Sequence, residues 1–136
     1  MKTPISCSRE DISQLVHDFY DQIRLHPNLG PIFNEHIQDW PTHLNTMVSF
    51  WSSILLKTGD FSGSPMMKHA ALPNLSADLF EQWLQLFHQT CQQQANPELA
   101  ETAWLFAQRI ARSLWMGYQI QQQPERSPID LAIRAD

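Results

Sequence analysis

The chain of 136 residues holds six histidines, at positions 17, 26, 36, 43, 69 and 88, and their spacing restricts the chemistry they can do. No two lie three or four apart, so no helix can present a zinc-binding pair on one face. No glutamate has a histidine three residues on, which removes the carboxylate-bridged di-metal bundle. His-Glu-x-x-His, Cys-x-x-Cys, Gly-x-Gly-x-x-Gly and the phosphate-cradling Gly-x-x-x-x-Gly-Lys loop are all absent. No serine sits in a recognisable nucleophile elbow. Cys7 and Cys91 are far apart in the chain and read as free thiols. What remains is a histidine acting alone. His69 is the best placed. It falls within residues 65–73, a short segment expected to be helical between Pro65 and Pro73, after the run Thr58-Gly59-Asp60-Phe61-Ser62-Gly63-Ser64.

The elements that must position such a histidine all read as helices. Ser8 is a plausible N-cap, followed by Ile12, Leu15, Val16, Phe19, Tyr20 and Ile23 at helical spacing. This pattern stops near His26-Pro27, since a residue before proline is pushed out of the α region. Asn28-Leu29-Gly30-Pro31 reads as a turn, with Ile32-Phe33 a brief apolar piece after it. A second helix opens at Trp40-Pro41, where proline's missing N–H costs nothing. It carries two adjacent stripes, Leu44, Met47, Val48, Trp51, Leu55 and His43, Met47, Phe50, Ile54. That apolar arc is wider than a surface helix needs, so the helix is either sandwiched in core or has a cofactor against one side. Ser76 can cap a third long helix, with Phe80, Trp83, Leu84, Phe87 and Cys91 on one face. Asn96-Pro97 opens a fourth, with Ala103, Phe106, Ala107, Ile110, Ala111, Leu114 and Tyr118 in line. The periodicity dissolves from Gln119. The expected organisation is one all-α domain over residues 1–120, with a flexible tail over 121–136.

Composition sets the outer limits. Hydrophobic residues make up 43% and charged residues 17%, an ordinary globular balance. A net charge of −5 argues against unspecific binding to nucleic acid or anionic lipid. No apolar run approaches the roughly 20 residues of a membrane span. The first ten residues lack the apolar core of a signal peptide, so a cytoplasmic protein is expected.

One imidazole with flat apolar walls and a few placed donors is what a haem requires. The same residues also suit an ordinary core: a lone histidine on a partly apolar helix is usually structural, and Tyr20, Trp83 and Phe87 would then be packing residues. Periodicity leaves both readings open.

The chain resembles the group III truncated haemoglobins, bacterial globins without the glycine-pair motifs of the other two groups. The residues that carry the resemblance are Phe19-Tyr20, Leu29-Gly30-Pro31-Ile32-Phe33, Trp40-x-x-His43 and Phe50-Trp51, then Gly63-x-Pro65-x-x-Lys68-His69-x-x-Leu72-Pro73 and Phe80-x-x-Trp83-Leu84-x-Leu86-Phe87. They stand in the family's order and at its spacing from about residue 12 to about residue 115. The resemblance implies a globin-like two-over-two helical sandwich holding haem b. His69 would be the proximal iron ligand at the end of a reduced helix F. Tyr20 on helix B and Trp83 on helix G would point donors at the bound gas, with His43 on helix E at the distal entrance. Phe33, Met47, Phe50, Met66 and Phe19 would line the cofactor. His17, His26, His36 and His88 carry no motif and are assigned to the surface.

Two rigid donors facing a partly negative ligand favour tight, slowly released oxygen. Hydrogen bonds to charged groups contribute roughly 1.5–3 kcal/mol, or on the order of 10- to 100-fold in release. The resemblance therefore implies chemistry on oxygen, nitric oxide or peroxide, such as nitric oxide dioxygenation or a peroxidase-like reaction, rather than oxygen delivery. It also implies a reductase or other electron donor, and a chain that works as a monomer or weak dimer. The alternative is a globin-fold binding or sensor module without haem; His69 argues against it.

Overall fold

The computed structural model describes residues 7–57 and 75–131. Five helices occur in this part of the chain: α1 (Arg9–Leu25), α2 (Leu29–His36), α3 (Trp40–Leu55), α4 (Ala77–Gln92) and α5 (Pro97–Gln122). No strand occurs among the described residues. Residues 65–73, with His69 and Met66, lie outside them.

Each long helix begins where the sequence supplies a cap. At Ser8 the hydroxyl accepts from the Asp11 N–H at 3.1 Å while the Asp11 carboxylate accepts from the Ser8 N–H at 3.0 Å, a reciprocal box that satisfies two orphan donors. Asp39 accepts from the Thr42 N–H ahead of α3, and Ser76 accepts from the Leu79 N–H ahead of α4. The Asn96 side-chain oxygen takes both the Glu98 and Leu99 N–H groups at 3.1 Å, with Pro97 as the first helical residue of α5.

One expectation from sequence is corrected. Residues 28–33 are not a turn and a fragment: α2 is an eight-residue helix beginning at Leu29. Pro31 sits in its first turn, where no intrahelical N–H partner is required. Gly30 is needed there because α2 folds back on the end of α1. A Cβ at Gly30 would stand 2.8 Å from the Arg24 carbonyl oxygen and 3.2 Å from that of Ile23. Of residues 121–136, the structure describes those up to 131. The helix runs on to Gln122, and the described part beyond it returns along α5. Gln119 donates from its amide to the Ile129 carbonyl and accepts from the Ile129 N–H, both at 2.9 Å. Leu131, only 6% exposed, joins the core. A single leucine after a polar run gives no periodicity, so sequence cannot announce its burial.

Packing puts the helices in two layers. α1 lies against α2, α3 and α4, and α4 pairs most extensively with α5. Ala103, Ala107 and Ala111 are fully buried, and their small side chains let α4 approach α5 closely. The core between the layers is aromatic. Phe87 stacks on Trp51 (5.3 Å between centroids, 15°) and on Trp83 (5.4 Å, 7°), while Phe19 meets Phe87 edge-on at 5.0 Å. Such pairs contribute about 0.5–1.5 kcal/mol each beyond area burial. Together they form a rigid floor.

Candidate functional site

On that floor stands a second set of rings, from α1, α2 and α3. Tyr20 meets His43 edge to face (5.1 Å, 89°), Phe33 at 6.1 Å and Trp40 at 5.9 Å. His43 and Trp40, a helical turn apart on α3, are themselves edge to face at 5.7 Å. Residues as distant in sequence as Tyr20, Phe33 and His43 are thus one cluster. The α1–α2 fold-back at Gly30 brings Phe33 over Tyr20, and the Asp39 cap fixes where α3 begins.

Tyr20 is the most informative member. Its residue is 5% exposed, with its ring among those of Phe19, Phe33, Trp40 and His43. Burial pushes its phenol pKa up from the ordinary value, so the O–H stays protonated and able to donate.

Phe19 separates Tyr20 from Trp83. It is in edge contact with Tyr20 at 5.2 Å and with Trp83 at 5.3 Å, and it is 2% exposed. Its contacts are those of a core residue lying between Tyr20 and Trp83. Trp83 is only partly buried, and its ring packs on Phe19 and Phe87. Met47, Phe50 and Phe33 are likewise half-buried on the edge of the core. The structure therefore brings together Tyr20, His43 and Phe33, with Trp83 behind Phe19, and leaves Met47 and Phe50 on the flank of α3. His69 and Met66 fall outside the described residues.

Three aromatic residues that sequence reasoning left without a role make defined contacts. Trp40 was visible only as part of Trp40-x-x-His43; the structure puts its ring in the cluster, with the Arg24 guanidinium 4.6 Å above it. Tyr118 accepts a hydrogen bond at 3.0 Å from the N–H of Leu75. Trp115 stacks on Tyr118 (5.9 Å, 18°) and leans on Phe80 at 5.6 Å, its buried indole N–H unpaired. Nothing in local sequence distinguishes these from ordinary core aromatics. Among the described residues no three His, Cys, Asp or Glu side chains gather as a metal site. No helix there is long and apolar enough to cross a membrane.

Comparison with known proteins agrees with this geometry. No protein-family model matches the chain. It is 36% identical over 108 residues to the group 3 truncated hemoglobin ctb of Campylobacter jejuni, a match covering 76% of this chain and 85% of that protein. The crystal structure of the group III truncated hemoglobin from Campylobacter jejuni superposes with a TM-score of 0.78 at 30% identity, over 92% of this chain and 99% of that one. The helical sandwich and its aromatic pocket thus define an all-α, globin-like protein. At that identity and coverage the class narrows further, and the chain belongs to the group III truncated haemoglobins.

Proposed function

We propose that the chain binds haem b between the Tyr20 cluster and the segment carrying His69, and that it acts on bound gas rather than delivering it. The observation that carries this reading is the cluster of Tyr20, His43 and Phe33, in which burial keeps the Tyr20 phenol protonated. The residues fit the group. A flat, largely apolar macrocycle needs half-buried aromatic and thioether walls, and Phe33, Met47, Phe50 and Trp83 offer them. It also needs one neutral imidazole, for which His69 is the candidate, and donors on the opposite face.

When bound, ferrous haem supplies an open coordination position and shares electron density with a diatomic ligand there. Everything else is the protein's work. Tyr20 directs a protonated O–H at that position, and Trp83 offers an indole N–H from α4. Both rings are held by Phe19 and Phe87, so donating costs little ordering entropy. Two such donors retain a ligand with negative character and favour its conversion over its release. Oxidation of nitric oxide to nitrate is the reaction best suited to this. It consumes nitric oxide, oxygen and one electron per turnover, so a reductase or other electron donor belongs to the reading. We place the reaction in the cytoplasm of a bacterium, in a monomer or weak dimer.

The test is direct. Purified wild-type protein should be red, with a Soret band, and the oxygenated reduced form should convert nitric oxide to nitrate stoichiometrically. His69→Ala should lose stable haem retention. A colourless wild-type protein that does not take up added haem would instead favour a haem-free binding module; a normal Soret band in His69→Ala would remove that residue as the ligand.

A further inference from the structure

We infer that Trp40, pinned from the solvent side by Arg24, is a latch that holds the His43 imidazole over the distal pocket and limits ligand access. The inference rests on the distal-pocket reading above and adds two positioning residues to it. The three rings of Tyr20, His43 and Trp40 close a triangle with sides of 5.1, 5.7 and 5.9 Å. The imidazole stands at 89° to both of its neighbours, in a T-shaped contact with each. From Tyr20 through His43 and Trp40 to Arg24 the side chains pass from buried through half-buried to exposed. The chain of contacts therefore runs from core to solvent. His43 can turn outward only by parting from Trp40.

Trp40 is held in turn. The Arg24 guanidinium lies 4.6 Å from the centre of its ring, and among the described residues no carboxylate pairs with Arg24. The cation is thus free to lie on the indole face, the stronger of its options at an exposed site. The base of Arg24 is itself anchored, because the Asn34 amide donates to the Arg24 carbonyl at 3.2 Å and ties the end of α1 to α2. Closing or opening the latch is a local rearrangement of side chains, with no helix displaced.

Carbon monoxide rebinding after flash photolysis of the reduced, haem-loaded protein tests this. Arg24→Gln should raise the bimolecular rate about two- to five-fold, the equivalent of one exposed cation–π contact. Arg24→Lys, which keeps a cation over the ring, should return most of the way to wild type. His43→Ala should raise the rate further, and adding Arg24→Gln to it should change nothing more, since the latch then has nothing to hold. A second readout is independent of ligand binding: the Trp40 indole N–H resonance, assigned through Trp40→Phe, should shift or broaden in Arg24→Gln. If His43→Ala speeds rebinding while Arg24→Gln alters neither rate nor resonance, the latch is wrong and the pocket stands. If His43→Ala has no effect either, His43 does not guard the pocket and both readings fall.

Discussion

The hydroxyl of Tyr118, late in α5, accepts a 3.0 Å hydrogen bond from the backbone N–H of Leu75, just ahead of the α4 cap. Leu75 follows His69 by six positions, with Pro73 between them. Tyr118 therefore fixes one end of the stretch that carries the candidate iron ligand, from a residue that is itself buried and stacked on Trp115. Tyr118→Phe removes the acceptor and leaves the ring. It should lower stability by about 0.5–1.5 kcal/mol in urea unfolding, the net worth of one hydrogen bond. It should also speed haem transfer to an apoglobin acceptor. Unchanged transfer at reduced stability would mean that the bond serves the fold alone.

Tyr20→Phe separates ligand chemistry from packing in the opposite way. The ring keeps its contacts with Phe19, Phe33 and His43, so loss of the hydroxyl should leave unfolding stability close to that of wild type. Oxygen dissociation from the reduced protein should nevertheless rise by about tenfold or more, from the loss of a donor to a partly charged acceptor. Stopped-flow displacement of oxygen measures it. An unchanged rate would show that Tyr20 does not reach the ligand.

These two tyrosines show what the sequence could and could not disclose. The burial of Tyr20 was legible because Phe19-Tyr20 sits on a clear amphipathic stripe. Caps at Ser8, Ser76 and Asn96 were legible for a local reason, since a short polar side chain beside the first helical turn is itself the signal. Tyr118 lay on a stripe too, but its hydroxyl partner is a backbone group 43 positions away, which no periodicity encodes. Trp40 and Arg24 meet only because α2 folds back at Gly30. The reading of residues 28–33 as a turn hid that fold-back, since glycine and proline side by side usually punctuate. Tertiary contact decided all of these.

That fold-back can be tested on its own. Gly30→Ala would press a methyl group to 2.8 Å from the Arg24 carbonyl oxygen, and the atoms it meets are backbone that cannot rotate aside. α2 must then shift away from α1, at a cost of about 1–3 kcal/mol. Phe33 would move with it and loosen over Tyr20, so carbon monoxide rebinding should change alongside stability. Equal stability of variant and wild type in chemical denaturation would show that α2 is not bound to this approach.

Cys91 offers a check on the core beneath the site. It is 1% exposed, and burial pushes its thiol up to about 12 from an ordinary value of 9.0. A folded-state pKa above the unfolded one means that the fold favours the neutral thiol. The stability this represents is complete below pH 9 and lost as pH rises from 9 towards 12, because only the unfolded chain ionises in that window. The slope from this one group should approach about 1.4 kcal/mol per pH unit, and Cys91→Ala should flatten it, at some cost in packing. Cys7 is partly exposed and its thiol is raised too, by burial first and then by Asp11 and Glu98. At pH 8, iodoacetamide should therefore label Cys7 slowly and leave Cys91 untouched until the chain unfolds. Rapid labelling of Cys91 in the native protein would mean that the layer between α4 and α5 opens far more readily than its packing allows.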